Sequence, residues 1–297
     1  MTKTPKKPKK SRLEKVIEKE GLTEKEAAIL LQSARGKPFP GAKLDVSNKG
    51  FMYMRISDTH IGHEKFLPEL FDLVIKMEKK YKPDFIIHSG DHLEGMSGRP
   101  GHIYELTHVG FDQQMNYCTD LYSQLKSTMF GIDGNHDEWY AKKSNNGVIV
   151  GNELERRLDN FVNLGQMEGD LLVNGIHIKL FHANDGTSYA DSYKLQKLTE
   201  SFTGGEKPHI VISGHYHKQL YMFLRNIHGY ENGTLMGQSR WMRGKKIRAA
   251  IGFGFTTVYI DKKGVNRIIN EWIPYYELDR TKFYFRKNIK LKNKFKR

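Results

Sequence analysis

Met129-Phe130-Gly131-Ile132-Asp133-Gly134-Asn135-His136-Asp137 is a short apolar strand, Met129–Ile132, that runs into a glycine turn and then into residues able to ligate a metal or move a proton. Four other stretches share that design. Ile56 leads to Asp58 and His60, and Ile87 to Gly90 and Asp91; Leu180 leads to His182, and Val211 to Gly214, His215 and His217. In open α/β sheets reactive groups gather in loops at the carboxyl ends of strands. The glycines before Asp91, Asn135 and His215 permit tight turns and close backbone approach. Asp58 and His60 are two residues apart, as are His215 and His217. In extended chain that spacing turns both side chains to one side, towards a common ion. Each stretch alone reads more readily as a strand-end turn; the ordered set points to a two-metal site.

Around these motifs the pattern alternates. Strands are predicted at Phe51–Ile56, Phe85–His88 and Met129–Ile132, and helices at Phe66–Tyr81, roughly Ile103–Lys126 and Asn152–Leu158. Asn174-Gly175 joins Leu171–Val173 to Ile176–Phe181 as a hairpin. A helix at Tyr193–Phe202 and a strand at Ile210–Ser213 follow. The later sequence then reads as antiparallel strands: Leu220–Leu224, Thr234–Gly237, Thr256–Ile260 and Val265–Trp272. Strand–helix alternation followed by hairpins implies an α/β fold, a layered core with mixed sheets.

Three segments are expected: a basic unstructured arm plus short helical segment over residues 1–48, a main domain over 49–275, and a basic tail over 276–297. Within the first, Ser11–Arg35 reads as two short helices broken at Gly21, with Thr23 and Glu26 as a capping pair. A helical lid or arm is preferred there to a DNA-reading helix-turn-helix, because GKPFPGAK, which follows, reads as a loop.

The chain of 297 residues carries a net charge of +14, unevenly spread. Residues 1–13 hold six basic residues and 280–297 hold nine, neither with an acid, which leaves 33 basic against 34 acidic residues between them. Basic tails of this kind bind polyanions, nucleic acid first; the alternative is a solubility device. A second basic stretch, Arg240-Trp241-Met242-Arg243-Gly244-Lys245-Lys246-Ile247-Arg248, sets cations for phosphates beside an aromatic for base stacking. Its competing reading is a solvated loop with Trp241 anchored in the core. No run of eighteen apolar residues is present, so no membrane-spanning helix is expected, and nothing resembles a secretory signal. The lone Cys118 excludes an intrachain disulfide framework and a thiolate-rich zinc site. A cytoplasmic protein whose metals are held by nitrogen and oxygen is expected.

With its motifs in order (Asp58-Thr-His60, Gly90-Asp91, Gly134-Asn135-His136-Asp137, the strand-end His182 and Gly214-His215-Tyr-His217) the chain resembles the calcineurin-like metallophosphoesterase superfamily over roughly residues 50–275. The resemblance implies two facing β-sheets flanked by helices. It also implies that Asp58, His60 and His217 hold one metal, that Asn135, His182 and His215 hold the other, and that Asp91 bridges them. His136 would be the catalytic histidine and Asp137 would orient its ring. Two divalent ions ~3.5–4 Å apart clamp the attacking and leaving oxygens of an in-line displacement and acidify a bridging water to hydroxide. Manganese is expected from the resemblance; Fe, Zn, Ni or Co suit the same ligands.

Of the remaining histidines, His88 is expected to be a packed core residue, and His92 to contact substrate or support Asp91 from behind. His177, mid-strand, is a weaker rival to the strand-end His182. Protein phosphatases of the superfamily extend Gly-Asp into Asp-Arg-Gly, whereas this chain reads Gly90-Asp-His-Leu-Glu-Gly95. The text looks more like the nuclease and cyclic-nucleotide phosphodiesterase branches. The expected activity is therefore a metal-dependent DNA or RNA nuclease, with Arg240, Trp241, Arg243, Lys245 and Lys246 on the substrate. The alternatives are a small-molecule phosphatase or nucleotide phosphodiesterase, and a catalytically silent nucleic-acid-binding scaffold. Protein partners are left open.

Overall fold

The computed structural model describes residues 41–46, 49–143 and 147–275. The helical reading of Ser11–Arg35 and both basic tails lie outside the described residues. In chain order the strands are β1 (Ala42–Leu44), β2 (Gly50–Ile56), β3 (Phe85–His88), β4 (Met129–Asp133), β5 (Phe161–Gln166), β6 (Glu168–Val173), β7 (Ile176–His182), β8 (Ile210–Gly214), β9 (Leu220–Leu224), β10 (Ile227–Glu231), β11 (Gly252–Asp261) and β12 (Gly264–Pro274). The α-helices are α1 (Pro68–Tyr81), α2 (Phe111–Tyr122), α3 (Glu138–Lys143), α4 (Val150–Arg157), α5 (Tyr193–Ser201) and α6 (Arg240–Gly244).

Two six-stranded mixed sheets result, ordered β12-β11-β2-β3-β4-β5 and β1-β6-β7-β8-β10-β9. Their central strands are largely apolar on both faces because both faces are covered; Arg55 of β2 is buried but bonded to Thr256 and Asn232. Along β2 and β3, Phe51, Tyr53, Phe85 and Ile87 point to the second sheet and meet Ile178, Leu180, Ile210 and Ile212 from it. The alternate residues Met54, Ile56 and Ile86 point outward, against Leu70, Phe71 and Val74 of α1 and Met115 and Cys118 of α2. On the far side Val211 packs under Leu195 of α5. The period of two along each strand thus builds an α/β/β/α sandwich. Each fully buried aliphatic or aromatic side chain in it contributes about 1.5–3 kcal/mol.

Several boundaries differ from the sequence reading. Helix α1 starts at Pro68, since proline suits the first helical position, and ends at Lys82, a left-handed cap ahead of Pro83. The long helix expected over Ile103–Lys126 is broken by Gly110, whose φ of 87° cannot continue a helix. It becomes a 3₁₀ turn, His102–Glu105, followed by α2. Thr234–Gly237 forms no strand, only isolated bridges at Thr234 and Met236. Strands β1, β5 and β10 were unexpected. Because β1 pairs in parallel with β6, residues 42–44 belong to the sandwich and not to the arm assigned to 1–48; the compact unit begins at Gly41. Among the described residues, no helix is long and apolar enough to cross a membrane.

Candidate metal centre

Strands β2, β3 and β4 run parallel in one sheet, and β7 and β8 run parallel in the other. Their carboxyl ends meet at one edge of the sandwich. Asp58, His60, Asp91 and Asn135 come from the first sheet; His182, His215 and His217 come from the second. The seven expected ligands converge from both sides. Asp58, His60 and His217 form one cluster and Asp91, His182 and His215 another, with the donor atoms of each within 4.8 Å of one another. Asp91 Oδ2 lies 3.6 Å from His60 Nε2 and 3.2 Å from His182 Nε2, so a single carboxylate oxygen faces both clusters. Asn135 Oδ1 lies 2.8 Å from His215 Nδ1 and 3.1 Å from His182 Nε2.

Five of the seven, Asp58, His60, Asp91, His215 and His217, have φ between 48° and 87°. That corrects the expected extended geometry of the Asp58/His60 and His215/His217 pairs. Left-handed turns, not a pleat, bring the paired side chains together, and Thr59 turns away to bond the carbonyls of Asp91 and His92. Left-handed backbone at non-glycine residues costs of order 1–3 kcal/mol each and persists where surrounding structure enforces it. Gly134 allows the approach: a Cβ there would overlap Asp91 Oδ1.

The chemistry of the donor set fits divalent cations. His60 Nδ1 donates to Glu94 Oε2 (2.8 Å), His182 Nδ1 to the Ser89 carbonyl (2.7 Å) and His215 Nε2 to the Asp185 carbonyl (2.8 Å). Each of these imidazoles spends its one neutral-form proton on a protein oxygen. Its other nitrogen then carries a lone pair or a second proton. His60 Nε2 faces His217 Nε2 (3.0 Å) as well as Asp91; burial would lower the pKa of His182, but Asp91 lifts it to about 9 in the metal-free chain. Buried acceptors packed against acceptors are repulsive unless a cation lies between them. The carboxyls of Asp58 and Asp91 are held below the usual carboxylate range: burial would raise them, but His217 and His182 outweigh it. His217 differs from the other imidazoles, because its Nδ1 is buried with no hydrogen-bond partner.

His136 stands beside the clusters. Its backbone N–H donates to Asp91 Oδ1 (2.9 Å) and its ring Nδ1 donates to the Glu94 carbonyl (2.9 Å). Nε2 is left without a protein partner among the described residues. Burial would lower its pKa, but the Glu94 and Asp91 carboxylates lift it to about 10. Asp137 does not orient this ring. Its carboxylate accepts the backbone N–H groups of His92, Leu93 and Gly134 (3.1, 2.9 and 2.8 Å), which ties the β3 and β4 loops together. Burial, then Asp91, pushes its pKa up to about 7.

Glu94 takes the place expected for Asp137, and sequence reasoning missed it. It bonds His60 Nδ1 and His102 Nε2 (2.7 Å), with Oε2 3.5 Å from His136 Nδ1. Burial alone would raise its carboxyl, yet His136 and the other two imidazoles hold it well below the carboxylate range. Its position three residues after Asp91 was the available signal. Glu94→Gln is expected to weaken metal binding and lower kcat, each by about 10–100-fold, the usual cost of losing a group that orients a ligand. Because Glu94 raises the pKa of His136, its loss should also move the basic limb of the pH–rate profile to lower pH. Metal titration and a pH series on the purified variant check both effects.

His92 is no substrate contact. It is fully buried under the site, stacked on His88 at 3.8 Å, with its ring nitrogens on Tyr122 Oη and the Ile132 carbonyl. His88 is buried as expected. His177 pairs with Asp170 on the sheet face, away from the clusters. In the basic stretch, Ser239 caps α6 by accepting the Met242 N–H. Met242, not Trp241, is the buried anchor. Trp241 is left 46% exposed and lines the same cleft as His60, Asp91 and Asn135.

A two-sheet α/β sandwich carrying this donor set at one edge defines a metallophosphoesterase. The chain belongs to the calcineurin-like phosphoesterase family, whose profile matches residues 54–219. That family uses divalent metals, and its candidate ligands here are these two clusters together with a third group, His60, Asp91 and His136, whose donor atoms also lie within 4.8 Å of one another. The DNA polymerase II small subunit of Methanothermobacter thermautotrophicus is 21% identical over 252 residues, covering 69% of this chain and 52% of that protein. The chain thus spans about half the length of that curated relative. Among solved structures, an archaeal phosphodiesterase aligns with a TM-score of 0.45 and 14% identity over 75% of this chain and 99% of that one. The phosphoesterase Yfce from E. coli aligns with a TM-score of 0.42 and 12% identity over 73% and 98%.

Proposed function

We propose that this chain is a two-metal phosphodiesterase that cleaves DNA or RNA. Asp58, His60 and His217 would hold one ion, Asn135, His182 and His215 the other, and Asp91 would serve both. When bound, the ions polarise the phosphoryl oxygens and acidify water; Mn²⁺ is the ion proposed. His136, kept protonated by Glu94 and Asp91, turns Nε2–H towards the leaving oxygen as general acid. Asp137 holds the loops that carry Asp91 and Asn135.

The observation that carries the nucleic-acid reading is the basic stretch whose Ser239, Trp241, Met242 and Ile247 line the cleft. Arg240, Arg243, Lys245 and Lys246 are exposed and, among the described residues, form no ion pair, whereas Arg248 pairs with Asp191. Unpaired cations beside an exposed tryptophan suit a phosphate backbone and its bases. In sequence the tails 1–13 and 280–297 carry fifteen further basic residues, and a curated relative named as a DNA polymerase subunit supports the same substrate.

The test is hydrolysis with Mn²⁺ of single- and double-stranded DNA, RNA and bis-p-nitrophenyl phosphate. Deleting residues 1–13 and 280–297, which hold fifteen basic residues, should weaken oligonucleotide binding and flatten its dependence on salt, because each neutralised phosphate adds about 0.7–0.9 to the log–log slope. Turnover of bis-p-nitrophenyl phosphate should change little. Brisk turnover of a nucleotide or phosphomonoester with no cleavage of any nucleic acid would replace this reading with a small-molecule phosphoesterase.

A further inference from the structure

We infer that the cleft beside the metal ligands receives one unpaired nucleobase, which makes the chain selective for single-stranded nucleic acid and tolerant of base identity. The inference rests on the nuclease reading above and adds the form of the substrate.

The cleft measures about 350 Å³, at the small end of the range for pockets that enclose one ligand-sized group. One part of its wall is the ligand set. A second part is polar, including Glu94, His102, Arg99 and Asp185, and a third is apolar: Trp139, Met236, Trp241, Met242 and Ile247. Water-filled space between two dications and a solvated phosphodiester needs no such wall. A flat aromatic group attached to that phosphodiester does.

Trp139 lies against the His136 ring, with centroids 4.0 Å apart, so an aromatic surface sits directly beside the candidate proton donor. Trp241 is held out by local structure. Ser239 caps α6, Met242 takes the buried position and Trp241 is left 46% exposed. Exposing an indole forfeits the stabilisation that burial would bring, and a base stacking on it restores that contact. On the same helix and the turn after it, Arg240, Arg243 and Lys245 are exposed for the phosphates on either side.

A paired base cannot use this wall. Its faces are covered by neighbouring pairs and its edge by its complement, so it must first leave the stack. Base identity is not read either. Arg99 is bound to Glu105 through both terminal nitrogens (2.6 and 3.3 Å), Ser97 Oγ accepts the Arg99 N–H and Ser239 Oγ accepts the Met242 N–H. Thr187 adds a single hydroxyl, which can pair with any base, and the Asp185 carboxylate is taken by Tyr216 Oη and Lys194 Nζ. Among the described residues lining the cleft's apolar part, no free amide or guanidinium fork is available to select a base edge.

The experiment compares kcat/KM of the full chain with Mn²⁺ on oligo-dT, oligo-dA, an oligomer of abasic tetrahydrofuran residues and a duplex, with bis-p-nitrophenyl phosphate alongside. Single strands should exceed the duplex by at least about tenfold. Oligo-dT and oligo-dA should agree within roughly fivefold, and the abasic oligomer should be cleaved about 10–100-fold more slowly, as loss of one or two stacked bases requires. Trp241→Ala should erase most of the difference between based and abasic strands, and Trp241→Phe should retain it. Equal cleavage of abasic and based strands overturns the inference. So does preference for duplex, or a Trp241→Ala variant that still discriminates fully. In those cases oligonucleotides are still cleaved and the nuclease reading stands. Turnover of bis-p-nitrophenyl phosphate with no oligonucleotide cleaved overturns both.

Discussion

Asp91→Asn is expected to abolish hydrolysis and to lower bound divalent metal from about two ions per chain to one or none. The effect follows from one atom: Asp91 Oδ2 faces His60 Nε2 at 3.6 Å and His182 Nε2 at 3.2 Å, so it alone serves both clusters. Asparagine keeps an oxygen for the His136 N–H, now 2.9 Å from Oδ1, but removes the charge that makes a bridge between dications favourable. The loss should exceed the roughly 10²-fold typical of a residue that only orients a ligand. Elemental analysis of the purified variant, with circular dichroism to establish folding, checks it. Full activity of the native chain in EDTA, or unchanged metal content in the variant, would refute the two-ion assignment.

Replacing His136 by Ala should leave metal content intact and slow cleavage of an unactivated phosphodiester by roughly 10²–10⁴, the range for a lost general acid. The penalty should shrink with p-nitrophenolate, a leaving group that needs little protonation. The pH profile carries a second signature. An acid acts only while protonated, so activity falls as pH rises through the pKa of His136. Glu94 and Asp91 lift that pKa to about 10 in the metal-free chain against the effect of burial, and two bound cations would oppose them. The basic limb should therefore lie below 10 and be absent in His136→Ala. A variant that loses metal instead would make His136 a ligand, and a loss of equal size on both substrates would exclude proton donation.

Much of the site was legible in the sequence because its chemistry is local. A metal ligand at a strand end needs a particular residue type and a turn that exposes it, and both are written within a few neighbours: Gly90-Asp91, Gly134-Asn135, Gly214-His215. The central strands were equally legible, since β2, β3 and β8 are short apolar runs buried on both faces. Strands β1, β5 and β10 were not. Asn163 and Gly165 interrupt β5, Gly229 interrupts β10, and β1 is three residues at an edge. Ladder bonds to Leu171, Met129 and Ile210 hold them where their own propensity would not.

Residue types and their order by themselves determined the layered α/β class, the calcineurin-like resemblance and the candidate ligand set. The partner of His136 was decided only in three dimensions. Asp137 is its neighbour in sequence but is spent on three backbone N–H groups, while Glu94 meets His60, His102 and His136 from separate segments. The same holds for His92, sealed under the site, and for Trp241, exposed because Met242 takes the buried place. A residue's type sets which bonds it can make; which of them it makes depends on what the packed sheets bring within about 3 Å, and contacts between residues so far apart along the chain leave no periodicity to read.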